Sequence, residues 1–248
     1  MMIDILSAQM PPLNYQDILQ HIGLLEMVFK GLLIGIVASA PMGPVGVLCV
    51  QRTLNKGRWF GLATGVGASL SDLIYALITG YGMSFVVDII EDVKVAFWIK
   101  VVGSVLLFLF GLFTFRSNPV DKVKPVSHNK GTLVHNFVTG FLVTFSNPLI
   151  IFLFVAMFGQ FTFILPDNPL PQIVGYVFIV VGALLWWFGL TWLIDKVRNR
   201  FNVRGIWLIN RIIGIVVMVV SGVMALYSLG LVSFVSDWFP GLKQWLAN

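Results

Sequence analysis

Six long apolar stretches dominate this sequence and limit the environment in which it can fold. Each is long enough to cross the hydrocarbon core of a bilayer, which takes about 20 mainly apolar residues. They cover residues 27–50, 59–83, 95–115, 134–158, 173–194 and 210–232. Only 11% of the 248 residues are charged, whereas a soluble domain carries about a quarter. The sequence therefore predicts an all-α integral membrane bundle of six transmembrane helices.

The short connections between these stretches alternate in charge. Basic residues such as Arg52, Arg116 and Arg198 follow the first, third and fifth stretches, whereas acidic residues such as Asp88 and Asp237 lie on the other side. Because lysine and arginine bias sets orientation, both termini are predicted to lie outside the cytoplasm, in the plasma (inner) membrane. This pattern accounts for the net charge of +5, so nucleic acid is not an expected partner.

We read the chain as one transporter domain, residues 1–248, that contains two halves. Residues 27–115 would form a first three-helix repeat, residues 116–133 a cytoplasmic loop, and residues 134–232 a second three-helix repeat. With three spans in each half, the second repeat must be inverted relative to the first. Such inverted repeats are common in transporters that work by alternating access.

The first and fourth stretches are interrupted at corresponding places. The first contains Pro41, Gly43 and Pro44, and the fourth contains the run Ser146, Asn147 and Pro148. Proline removes a backbone donor and clashes with the preceding turn, so both helices are predicted to break near the bilayer midplane. Such breaks can be simple kinks, but paired breaks in two halves indicate a substrate-binding site.

Asp72 is the one charge placed halfway along a span. A charge there costs at least about 2.5 kcal/mol, so the side chain should face the bundle interior. Gly57, Gly61 and Gly65 precede it at four-residue intervals, and small residues allow helices to pack closely. Burial disfavours the charged form of a carboxyl group, and a nearby cation favours it, so Asp72 could exchange a proton for a cationic group. A purely structural hydrogen-bonding role is the alternative.

Several polar residues within the spans could join Asp72, although each could equally form a hydrogen bond between helices. They are Ser39, Ser69, Ser71, Tyr75, Thr144, Ser146, Asn147 and Asn210.

The sequence offers little for catalysis or metal binding. Its three histidines, His21, His128 and His135, fall outside the spans or at an edge, and Cys49 is its single cysteine. No nucleotide-binding loop or nucleophile–base pair is present. We therefore expect neither an enzyme nor a metal site nor a bound cofactor.

These motifs resemble the lysine exporter (LysE/RhtB-type) family of amino-acid exporters. The matching segments are residues 40–48, 57–62, 71–73, 140–142, 147–148 and 207–210. The resemblance implies proton-driven export of an amino acid or similar metabolite, with Gly43-Pro44, Asp72 and Asn147-Pro148 at the family's functional positions. Val45 and Leu149 stand where many relatives carry polar residues, which makes the site more apolar and disfavours a lysine or arginine substrate.

The main hypothesis is a secondary active exporter, with proton-coupled antiport by alternating access. Pro41–Pro44 and Ser146–Pro148 would bind substrate through free backbone groups, and Asp72 would couple export to protons. Its partners would be a small-molecule substrate, protons and membrane lipid, and a homo-oligomer is left open. Two alternatives remain: a metal or inorganic cation exporter, and a non-transporting membrane assembly subunit.

Overall fold

The computed structural model describes residues 15–41, 43–84, 93–117, 131–147, 149–165, 169–197 and 204–229. Within these ranges the chain forms eight α-helices and no strand. They are α1 (Tyr15–Ser39), α2 (Pro44–Lys56), α3 (Arg58–Ser84), α4 (Val93–Arg116), α5 (Leu133–Phe145), α6 (Leu149–Phe161), α7 (Pro169–Lys196) and α8 (Arg204–Ser228). The all-α prediction is confirmed, whereas most of the predicted 116–133 loop lies outside the described residues.

Four of the helices are straight candidates for membrane spans. By length and composition, α3, α4, α7 and α8 can each cross a bilayer. The other four form two bent pairs, with α1 and α2 meeting at 79° and α5 and α6 at 71°. If each bent pair is one span, the bundle has up to six spans. The predicted breaks in the first and fourth spans are both present.

Close helix pairs form the interior of the bundle. α1 packs along α7, α3 along α5, and α4 along α8. Glycines permit the close approach: a Cβ at Gly35 would collide with the Ile179 carbonyl, and one at Gly140 with the Thr64 carbonyl. The outer faces carry exposed apolar side chains such as Phe108 and Val177, as expected of a surface covered by lipid.

Basic side chains gather at one end of the bundle, which we call the basic end. Arg58 stacks 5.2 Å from the Phe188 ring of α7, and Arg211 stacks 4.6 Å from the Phe115 ring of α4. Arg52 reaches the first turn of α5 through the Asn136 carbonyl, at 3.0 Å. These contacts bring the end of α2, the start of α3 and the ends of α4 and α7 to the same side.

Aromatic side chains fill the opposite end. The Phe158 and Phe163 rings stack with centroids 4.4 Å apart, and Tyr176 of α7 meets Phe163 edge-on at 5.5 Å. Lys30 of α1 donates to the Thr162 carbonyl at 3.3 Å just beyond α6, and pairs with Glu26 at 2.6 Å. This end is therefore packed with side chains around α6.

Candidate functional site

The first break lies between the end of α1 at Ser39 and the start of α2 at Pro44, where Gly43 has an extended backbone. The Ala40 amide still bonds the Ile36 carbonyl at 2.8 Å, but the Gly43 amide turns back to the Pro41 carbonyl at 2.8 Å. Pro44 then occupies the first turn of α2, where proline's missing N–H and fixed φ are tolerated. No side chain caps this turn. The first turn of α2 therefore carries the positive end of a helix dipole without a side-chain acceptor.

The second break, between α5 and α6, has a different hydrogen-bonding pattern. The Ser146 amide continues α5 by bonding the Leu142 carbonyl at 2.9 Å. Asn147 then caps α6, because its Oδ1 accepts from the Leu149 amide at 3.2 Å. Pro148, the third predicted residue of this break, lies outside the described residues. The two helix starts therefore differ: α6 has a side-chain cap and α2 does not.

Both breaks open onto one cavity of about 360 Å³. The predicted site residues that line it are Pro41, Gly43, Pro44, Asp72, Ser146 and Asn147. The structure thus brings together every predicted substrate-binding residue that it describes. The cavity continues to Ser117 and Asn210, which neighbour Arg116 and Arg211 in sequence. It therefore extends from the breaks toward the basic end of α4 and α8.

Asp72 supplies the only charge in the described lining of this cavity. Its side chain is 4% exposed and lies on α3, opposite the end of α1. Ser39 Oγ donates to its Oδ2 at 3.4 Å, which is a long hydrogen bond. No cation lines the described part of the cavity, so a positively charged ligand group would be a favourable partner for the carboxylate.

Most of the other predicted polar residues bond backbone carbonyls. Tyr75 donates to the Phe145 carbonyl at 2.6 Å, and Asn210 donates to the Thr114 carbonyl at 2.7 Å. Ser69 bonds within its own helix. Thr144 differs, because it lines the cavity and its buried hydroxyl has no hydrogen-bond partner among the described residues. The Ser71 hydroxyl likewise has no partner within the described ranges, but Ser71 is not among the described lining residues.

The three glycines predicted to pack helices divide into two groups. A Cβ at Gly61 would collide with the Thr53 hydroxyl, and one at Gly65 with the Trp187 ring, so both glycines permit close helix packing. The helix-packing role predicted for Gly57 is corrected by the structure. Gly57 lies between α2 and α3 with φ of 102°, and a Cβ there would meet no atom of the described residues within 4 Å. A left-handed φ favours glycine. Gly57 therefore ends α2 and allows the turn.

Two features of the site were not predicted from the sequence. Phe110, Phe113 and Trp187 line the cavity, but aromatic residues in uniformly apolar stretches carry no signal of which face they occupy. Arg52 was assigned to a connection, yet it lies within α2 and is only 7% exposed. Its Nη1 donates to Thr64 Oγ1 at 2.7 Å and to the Asn136 carbonyl at 3.0 Å. Arg52 thus joins α2 to α3 and α5.

This chain is similar in sequence to known membrane and efflux proteins. A Bacillus subtilis (strain 168) protein named "Putative amino acid efflux protein YcgF" is 25% identical over 181 residues, covering 69% of this chain and 81% of that protein. An Escherichia coli (strain K12) protein named "Uncharacterized membrane protein YahN" is 23% identical over 138 residues, covering 55% and 60%. No solved structure matches.

The family comparison covers most of the chain. The family model for "LysE type translocator" matches residues 36–228, which include both helix breaks, Asp72 and the whole of α3–α8. The resemblance seen in the sequence is confirmed, and so is the assignment to transport rather than to catalysis. This multi-pass membrane protein, whose partners include a small-molecule substrate and membrane lipid, belongs to the LysE type translocator family.

Proposed function

We propose that this protein exports an amino acid or a related small metabolite by proton-coupled antiport. The observation that carries the proposal is the single cavity on which both helix breaks and Asp72 converge. Family membership supports translocation, and the name of the Bacillus relative supports amino acid efflux. The plasma membrane is the proposed location. With the basic end facing the cytoplasm, both termini would lie outside and the cavity would open inward.

The two ends of an amino acid match two features of the cavity. An ammonium group suits Asp72, which lacks a cationic partner in the described lining. A carboxylate suits the uncapped first turn of α2, where backbone N–H groups and the helix dipole favour an anion. At the other break, Asn147 already satisfies the Leu149 amide. The proposed substrate therefore lies between α2 and α3, with Pro41, Gly43, Ser146 and Asn147 around it. Pro148 remains a proposed site residue on the basis of the sequence.

Reciprocal contacts support two inverted repeats, for which we propose residues 27–115 and 134–232. Gly67 of α3 approaches the Phe137 carbonyl of α5, and Gly182 of α7 approaches the Leu32 carbonyl of α1. Likewise, Gly111 of α4 lies against Met218 of α8, and Gly214 of α8 lies against Phe115 of α4. In both cases, replacing each helix by its counterpart in the other half (α1 by α5, α3 by α7, α4 by α8) turns one contact into the other. A two-fold axis between the halves requires this relation. An odd number of spans per half makes that relation an inversion.

Some equivalent contacts are not shared by the two halves. α2 packs on α3, whereas α6 and α7 show no comparable packing in the described part of the chain. A second difference involves α4. α6 packs on α4, where Ser104 Oγ donates to Gln160 Oε1 at 3.1 Å. The equivalent helices α2 and α8 show no comparable packing in the described part of the chain. α6 thus covers the α4–α8 pair near the aromatic end, whereas α2 does not cover it near the basic end in the described part of the chain. Alternating access would follow if α6 left α4 while α2 closed on α8.

An Asp72→Asn protein tests the coupling role. In reconstituted vesicles, we expect the wild type to export amino acid faster when a pH gradient, acidic on the outer side, supplies protons. Asn keeps the shape and hydrogen bonding of the side chain but cannot exchange a proton. In the variant, the imposed pH gradient should therefore no longer change the efflux rate.

Asp195→Asn is the matched control, because Asp195 lies near the end of α7 and outside the described cavity lining. It should keep the pH response of the wild type. Unchanged pH-dependent efflux in Asp72→Asn would rule Asp72 out as the coupling residue. Transport of divalent metals but not of amino acids by the wild type would instead favour a cation exporter.

A further inference from the structure

A second cavity lies beside the first and has a different chemical character. Its volume is about 380 Å³, and its described lining consists of leucine and phenylalanine side chains from α4 and α6. Phe110, Phe113, Leu149 and Leu153 line both cavities. The polar cavity at Asp72 therefore has an apolar continuation between α4 and α6.

The charges around the first cavity limit what its occupant can carry. Asp72 is the only charged side chain in the described lining, so it can neutralise one ammonium group. A lysine substrate would bring a second ammonium that finds no second carboxylate there, and an unpaired charge is costly inside a membrane protein. An acidic side chain would repel Asp72. A neutral side chain avoids both costs.

The apolar continuation favours a large hydrocarbon side chain over a small polar one. A serine hydroxyl placed against Phe113, Leu149 and Leu153 would meet no hydrogen-bond partner among these side chains, whereas a leucine or phenylalanine side chain would contact them throughout. Each methylene that fits an apolar pocket improves discrimination by about 10-fold or more. The side-chain subsite thus lies between α4 and α6.

We propose that the substrate is a zwitterionic amino acid with a bulky apolar side chain, bound with its ammonium at Asp72 and its side chain between α4 and α6. This inference rests on the proposed export function and names the substrate class of that same site. It assigns Phe113 and Leu149 as specificity-determining residues.

Transport of a panel of amino acids by the full-length protein in proteoliposomes tests the inference. The panel contains leucine, phenylalanine, serine, lysine and glutamate. Leucine and phenylalanine should be transported at least about 10-fold faster than serine at equal low concentration, since several methylenes separate them. Transport of serine or lysine in preference to leucine and phenylalanine would overturn the substrate class but leave export intact. Transport of none of the five would overturn the substrate class, whereas the export proposal is tested separately by the pH-gradient experiment with Asp72→Asn.

Two variants with matched controls test the subsite. Phe113→Ala should lower the ratio of phenylalanine to serine transport by about 10-fold, and Leu149→Ser should lower the ratio of leucine to serine transport. The two side chains are 58% and 48% exposed, so the fold should tolerate the changes.

The matched controls are Phe108→Ala and Leu142→Ser, which alter exposed residues of α4 and α5 outside both described linings. They should leave the ratios unchanged. Ratios unchanged in Phe113→Ala and Leu149→Ser would overturn the subsite.

Discussion

At the scale of single residues, buried polar side chains determine how the bent helices are fixed. Arg52 is the clearest case, because its guanidinium joins α2 to Thr64 of α3 and to the backbone of α5 at Asn136. Asn136 itself is fully buried, and its side-chain amide has no hydrogen-bond partner in the part of the chain that the structure describes. The position of α2 at the basic end therefore depends strongly on one charged side chain.

Arg52→Ala should destabilise the protein. Removing the guanidinium leaves the Asn136 carbonyl without this donor, and hydrogen bonds to charged groups contribute about 2 kcal/mol each. We expect a clear fall in the thermal unfolding midpoint of the purified protein in a mild detergent. Arg52→Lys should recover only part of it, because one ammonium reaches two acceptors less well than a planar guanidinium does.

Arg116→Ala is the control for this experiment, since Arg116 is an exposed residue in the last turn of α4. It should leave the unfolding midpoint close to that of the wild type. An Arg52→Ala protein that unfolds at the wild-type temperature would show that the two hydrogen bonds contribute little to stability.

Single residues also show what the sequence could and could not predict. Asp72 was predictable, because a carboxyl group halfway along a span must avoid lipid. The burial of Arg52 was not, because a basic residue at the end of an apolar stretch is ordinarily a residue of the membrane surface. Only the continuation of α2 to Lys56 places Arg52 inside the bundle.

At the scale of elements, the helix crossings depend on small residues that leave no room for a side chain. Gly67→Ala tests this at the α3–α5 crossing, where a Cβ would collide with the Phe137 carbonyl and would also approach other backbone atoms of α5. Because backbone cannot move aside as a side chain can, we expect a loss of about 1–3 kcal/mol. The measurement is the thermal unfolding midpoint, combined with the transport rate.

Gly82→Ala is the matched control on the same helix, because a Cβ there would meet no atom of the described residues within 4 Å. Alanine is the better helix former by about 1 kcal/mol, so this variant should be no less stable than the wild type. Equal effects of the two substitutions would mean that helix propensity, and not the α3–α5 contact, dominates at Gly67.

The elements differ in how far the sequence could predict them. The positions of the breaks followed from proline and glycine chemistry, and the structure has them where they were predicted. The bends of 79° and 71° did not follow, because proline opens a helix without fixing the direction in which the chain continues. Nor did the pairing of α4 with α8, since uniformly apolar helices show no periodicity that distinguishes a lipid-facing side from a packed one.

At the scale of the whole molecule, the packing of α6 on α4 has no counterpart between α2 and α8 in the described part of the chain, and this contact can be trapped. A Ser104→Cys, Gln160→Cys protein would carry one thiol on each of the two helices, α4 and α6, that the Ser104–Gln160 hydrogen bond of 3.1 Å joins. Oxidation should hold the outer side closed and abolish net export, and reduction should restore it. Cys49, the only native cysteine, is fully buried, so it should not interfere.

Each single-cysteine protein serves as the control, and neither should respond to oxidant. Asn55 is the twelfth residue of α2 as Gln160 is of α6, and the reciprocal contacts of Gly111 and Gly214 pair Ser104 with Trp207. Asn55→Cys, Trp207→Cys should therefore cross-link faster during turnover than at rest. Full export by the oxidised Ser104→Cys, Gln160→Cys protein would contradict movement of α6 away from α4.

The apolar groove between α4 and α6 has exposed walls, including Leu109, Phe113 and Phe152. In a cell these walls would touch fatty-acyl tails, so a tail should occupy the groove whenever no cargo does. Lipids would then compete with the substrate for this groove in addition to forming the bilayer around the protein. We expect the apparent Km of such a carrier to change with the chain length of the host phospholipid, and alkyl detergents to weaken its ligand affinity.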